Sequence, residues 1–148
     1  MADFEIVASG TDEALSRLRW LIDNFPHEVA GELYVEAELT MTDSKKEVPV
    51  DTGALRDSGF VEAPKITSKE ISVTLGYGGV AAKVNPKTGQ SSDNYAIIVH
   101  ERLPGEVHWR SPGTKEKYLE DPIKKRSAKL LERINLKILR LLESMGRI

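Results

Sequence analysis

The sequence predicts an α+β domain in which an antiparallel sheet of three to four strands is covered on one face by a kinked N-terminal helix and a long C-terminal helix. Three observations carry this. Apolar residues recur at helical spacing over residues 9–46 and again over 122–145, and between them, over residues 55–111, the period shortens to alternation. Pro49 marks the change, since it lacks a backbone donor and pushes Val48 out of the helical region. At 148 residues the chain reads as one domain, residues 1–148, large enough to fold without a metal or disulfide staple.

The first helix opens at Ser9-Gly10-Thr11-Asp12-Glu13, a capping residue followed by acids that suit the positive end of the helix dipole. Leu15, Leu18, Leu21, Ile22 and Phe25 follow at helical spacing, and Pro26 predicts a kink or a restart. Val29, Leu33, Ala37 and Met41 then share one face. Glu28, Glu32 and Glu36 stand four residues apart, and like charges at this spacing cost a few tenths of a kcal/mol each unless a cation faces them. A basic partner surface, rather than an acid/base pair, is therefore expected opposite this ladder.

The stretch Val48-Pro49-Val50-Asp51-Thr52-Gly53-Ala54-Leu55-Arg56-Asp57-Ser58 reads as a defined turn. Asp51 and Thr52 can fold their side-chain oxygens onto nearby backbone N–H groups, and Gly53 can take a positive φ. Leu55 is expected to re-enter the core, with Arg56 pointing outward. Strands are expected at Gly59–Ala63, Lys69–Tyr77 and Asn94–His100, the last central because it is apolar throughout, with a short fourth at Val107–Arg110. Residues 78–93 form a loop longer than any hairpin requires, read as an arm that orders against a neighbouring subunit or as a floppy connection. Its Gly-rich opening is followed by no Gly-Lys-Ser/Thr, so a nucleotide cradle is not expected.

The final helix has Asp121 as its N-cap, Pro122 at its first position and Gly146 at its end. Ile123, Ser127, Leu130, Ile134, Ile138, Leu141 and Met145 form its apolar stripe. Lys124, Lys125, Arg126, Lys129, Arg133, Lys137 and Arg140 give it a basic outer side. Residues 1–63 carry 14 acids against 5 bases, and residues 115–148 carry 10 bases against 5 acids. Either both helices have solvated charged faces, or the acidic element of one subunit meets the basic element of its neighbour.

Chemistry-bearing residues are sparse. Without cysteine there is no disulfide, thiolate zinc site or thiol nucleophile, which fits a reducing cytoplasm or a virion assembled in one. No run reaches the ~18 apolar residues of a membrane span, and the N-terminus has no basic leader, so a soluble, unexported chain is expected. His100, Glu101, Glu106 and His108 are the groups from which a zinc site would have to be built, but their spacing matches no compact metal motif. Trp109 reads as a packing anchor. No cofactor is expected.

Three strings in this order, Pro49-Val50-Asp51-Thr52-Gly53-Ala54-Leu55-Arg56-Asp57-Ser58, Tyr95-Ala96-Ile97-Ile98-Val99-His100-Glu101 and Gly113-Thr114-Lys115-Glu116-Lys117-Tyr118-Leu119-Glu120-Asp121-Pro122-Ile123, give the sequence a recognisable pattern. It resembles the head-tail joining and tail-completion proteins of tailed bacteriophages, small ring-forming minor capsid proteins of the neck. The resemblance covers residues 48–123, and the first fifty residues share only helical character. It implies a virion protein, assembled in the host cytoplasm, that forms a homo-oligomeric ring, of six subunits, between the head connector or stopper and the tail tube. DNA would pass through that ring without specific binding. Subunit-contact residues are expected among Asp51, Thr52, Gly53, Leu55, Arg56, His100, Glu101, Lys124, Lys125 and Arg126. The competing reading is a metal-dependent enzyme or nucleic-acid-binding module built on His100, Glu101, His108 and the basic final helix.

Overall fold

The computed structural model describes residues 11–103 and 111–146. Within them the α+β class holds: helix α1 spans Thr11–Glu47, a single turn α2 spans Ala54–Asp57, and strands β1 (Gly59–Val61), β2 (Lys65–Ile66), β3 (Ile71–Ser72) and β4 (Leu75–Tyr77) follow. A 3-10 turn at Gly79–Ala81, helix α3 (Ser92–His100) and helix α4 (Glu120–Gly146) complete the order. Ser9 and Gly10, where the first helix was expected to begin, lie outside the described residues, as do Glu106, His108, Trp109 and the short strand expected at Val107–Arg110.

Helix α1 runs uninterrupted through Pro26, with Asp12 and Glu13 in its first turn and Lys45 and Lys46 in its last, both favourable to its dipole. It is the centre of the molecule. One face packs on the strands and another antiparallel against α4, and Ala30, Ala37 and Met41 along it are buried. The long C-terminal helix therefore lies on α1 rather than across the sheet. Its first turns face β3 and β4 only across a groove of about 250 Å³ lined by Leu33, Ile71, Val73, Ile123 and Leu130. It also starts at Glu120, two residues earlier than a cap at Asp121 would have it, because the backbone N–H of Asp121 already bonds to the Lys117 carbonyl at 3.0 Å.

The sheet differs from the expected three- to four-stranded one. β1 pairs antiparallel with β4, and β2 with β3, giving two short ladders along one hairpin. The alternating run Lys69–Tyr77 is split between them at Val73–Thr74, where Glu62 N–H still bonds to the Thr74 carbonyl at 2.8 Å. β1 lies close on α1: a Cβ on Gly59 would stand 2.6 Å from Lys45 Cε and 2.9 Å from Tyr77 Cε1, so a side chain there would have to displace both.

Asn94–His100, expected as a central strand, is helix α3. Ser91 caps it by accepting from the Asp93 N–H, and burial of Ser92 and Ala96 beside exposed Asp93, Asn94, Ile97 and Ile98 follows a 3.6-residue period. An apolar run this short fits helix or strand alike, and the Ser-Ser-Asp start decides it. Residues 78–93 are neither a free arm nor an unstructured loop. They fold back as a small hairpin, with Val84 bridged to Ser91, Asn85 N–H bonded to Gln90 O and Ser92 N–H to Lys83 O, each at 2.8 Å.

Candidate functional site

The turn before β1 has the positive φ at Gly53 and the buried Leu55 expected of it. Gly53 has φ +85°, Asp57 N–H bonds to the Gly53 carbonyl at 2.8 Å, and Leu55 is buried while Arg56 is exposed. Ser58, fully buried, donates its hydroxyl to Leu55 O at 2.7 Å and accepts Gly78 N–H on its carbonyl. Asp51 reaches beyond the turn, its carboxylate 2.6 Å from Lys87 Nζ of the folded-back loop.

Here the three strings meet. Leu55 from the first with Val48 just ahead of it, Ala96 from the second and Tyr118 from the third form one buried cluster, flanked by Tyr77, Tyr95, Val99 and Leu119. Tyr118 is its hub at 1% exposure. Its hydroxyl donates to Ala96 O at 2.9 Å, and its ring meets Tyr77 and His100 edge-on at 5.2 and 5.1 Å, a favoured aromatic geometry. Tyr77 in turn shares a hydrogen bond of 2.8 Å with Ser44 of α1. Burial pushes the Tyr77 hydroxyl up to about 12 and that of Tyr118 higher still.

The segment before α4 ties two helix ends into this cluster. Lys115 N–H bonds to Glu47 O at the end of α1 at 2.9 Å, and Lys117 N–H bonds to His100 O at the end of α3 at 3.0 Å. Both bonds satisfy carbonyls that a helix end leaves without a partner. Lys117 achieves this with φ +54°, a conformation uncommon for any residue with a side chain.

Around Lys117 lie the groups that sequence reasoning singled out for chemistry, His100 and Glu101, joined by Glu120, which it did not single out. Their ligand atoms fall within 4.8 Å of one another. His100 Nε2 accepts from the Glu120 backbone N–H at 3.3 Å, which leaves its proton on Nδ1, donated to Glu101 at 2.7 Å. The Lys117 ammonium bonds both Glu101 and Glu120, the latter at 3.2 Å. It holds Glu101 below the usual carboxylate range, with His100 assisting, while Glu120 is lowered first by Lys124 and then by Lys117. A cationic head thus already pairs with both of these carboxylates.

The basic residues of α4 divide. Lys124 pairs with Glu120 on its own helix and Lys125 is exposed. Arg126, by contrast, spans α1: its guanidinium is 3.0 Å from Glu36 and 2.6 Å from Asp43. Arg133 reaches Glu36 at 2.8 Å and Lys137 reaches Glu28 at 3.4 Å. The basic surface expected opposite the glutamate ladder is thus the same chain's last helix, which accounts for the charge asymmetry within one subunit. Comparison with family models, with curated proteins and with solved structures finds no match.

Proposed function

We propose that this chain is a structural protein of the tailed-phage neck, non-catalytic, that assembles with its own copies into a ring completing the tail and joining it to the DNA-filled head. The observation that carries the reading is the convergence of the three strings. Segments from three separate parts of the chain, resembling one family in the same order, supply Leu55 with the adjoining Val48, Ala96 and Tyr118 to a single small core. A cavity of about 210 Å³ lined by Tyr77, His100, Glu101 and Tyr118 lies beside this core. Its ionisable groups are already engaged, His100 with Glu101 and the Glu120 N–H, and Glu101 with Lys117, which supports packing and ion pairing as their role.

The ring would contact the head connector or stopper on one side and the tail tube on the other, and DNA would pass through it without specific binding. The alternative, a metal-dependent enzyme or nucleic-acid-binding module, draws on His100, Glu101 and the basic final helix. Lys117 already pairs with Glu101 and Glu120, and Arg126, Arg133 and Lys137 are turned onto α1. Both features weaken it.

Electron micrographs of the phage that encodes this chain, with its reading frame interrupted, test the proposal. The expected result is filled or leaking heads beside unattached tails, restored by supplying the chain in trans. Normally joined particles would overturn it.

A further inference from the structure

We propose that α1 is two segments joined by a hinge at residues 26–31, about which its first half bends on and off the end of α4 while its second half stays fixed in the core. Such a hinge is a property of one chain and needs no ring.

Two residues weaken the middle of α1. Pro26 has no N–H to give the Ile22 carbonyl four residues back, and its ring crowds that carbonyl. Ile22 is 70% exposed, on a side of the helix open to water. Gly31 lies further along the same helix, where glycine is less favourable than alanine because its backbone has more freedom to lose. Packing does not require it: a Cβ built on Gly31 would meet no atom within 4 Å, so alanine would fit. Proline and glycine are where helices bend most readily, and here they stand less than two turns apart.

The packing changes at the same place. No residue from Asp12 to Val29 is buried, whereas from there onward Ala30, Glu36, Ala37, Thr40, Met41 and Ser44 all are. The ties to α4 divide likewise. Arg126, Arg133 and Lys137 hold Asp43, Glu36 and Glu28, and Glu28, inside the hinge, is the last such ion pair between the two helices among the described residues. Beyond it the helices enclose a cleft of about 340 Å³ lined by Glu13, Ser16, Trp20, Ser144 and Met145. Close-packed side chains hold neighbouring helices in one arrangement, and a cleft of that size lacks them. The first half of α1 therefore rests on α4 across open space. A small change of backbone angle over residues 26–31 widens or closes that space without disturbing the core, which is how a few residues serve as a hinge.

Pulsed electron spin resonance on the full chain tests the hinge. The chain has no cysteine, so nitroxide labels attach only where cysteines are introduced. Arg19→Cys with Glu143→Cys reports on the first half of α1, Glu38→Cys with Lys129→Cys on the second, and all four sites are exposed. Labelled chain is diluted in unlabelled chain, so that only distances within one copy are read. The outer pair is expected to give a clearly wider distance distribution than the inner pair. Gly31→Ala and Pro26→Ala, each of which favours a straight helix, should narrow the outer distribution and leave the inner one unchanged. An outer pair as narrow as the inner one would overturn the hinge. So would a wide outer distribution that neither substitution narrows, since the bend would then lie elsewhere. Oligomer mass plays no part in this readout, so the hinge can fail while the ring stands, and the ring can fail while the hinge stands.

Discussion

The Tyr118 hydroxyl donates to the Ala96 carbonyl at 2.9 Å, joining the segment before α4 to the middle of α3 across 22 residues of sequence. Tyr118→Phe is expected to lower stability by about 1 kcal/mol, the usual net worth of one hydrogen bond. Tyr118→Ala also opens a cavity beneath Tyr77 and His100 and should cost about 3–5 kcal/mol. Urea denaturation followed by circular dichroism measures both. Equal effects of the two substitutions would show that the ring does not pack as described.

Gly53 sits at φ +85°, where a β-branched side chain is strongly disfavoured. Gly53→Val should cost about 1–3 kcal/mol and Gly53→Asn clearly less, because asparagine tolerates the left-handed region. The urea midpoints rank the two, and a Gly53→Val midpoint equal to wild type would contradict the turn geometry.

Arg126 bonds Glu36 and Asp43 on α1, whereas Lys125 beside it is exposed. Arg126→Ala is expected to destabilise the single chain by about 1–3 kcal/mol, since it leaves the buried Glu36 with Arg133 alone. Lys125→Ala should change stability by less than about 0.5 kcal/mol. Indistinguishable midpoints for the two variants would mean that the helix pair does not depend on these ion pairs.

The pH dependence follows from the same contacts. Asp43 is held below its ordinary value by the Lys46 hydrogen bond and then by Arg126. Glu101 and Glu120 are lowered as well. A carboxylate lowered by folding stabilises above its unfolded pKa of about 4, and that contribution is lost as pH falls through the lower folded value. Stability should therefore decline below about pH 4, and less steeply in Asp43→Asn. At the alkaline end burial raises Tyr77 to about 12, so its contribution is full below the unfolded tyrosine pKa of about 10 and is lost as pH rises from there towards 12. Tyr77→Phe should flatten that limb. Midpoints from pH 3 to 11 check both signs.

The two long helices, the stop at Pro49, the positive φ at Gly53 and the buried Leu55 were all legible, because helical period and turn chemistry act locally. Three features were not. Asn94–His100 is apolar enough for either secondary structure, and its helical signal lay in the polar Ser91-Ser92-Asp93 start just ahead of it. The basic face of α4 is periodic in sequence, but only the antiparallel placement against α1 shows that Arg126, Arg133 and Lys137 turn inward. Glu120 joins His100 and Glu101 through the left-handed Lys117, and a lysine with positive φ has no sequence signature of the kind glycine provides.

The claim on which the account stands is that this chain is one segment of a closed ring. The mass of the purified protein by multi-angle light scattering, across a hundredfold range of concentration, tests it most directly. A closed ring gives a discrete multiple of the chain mass, six by resemblance, that does not grow further with concentration. A single-chain mass at every concentration would contradict it.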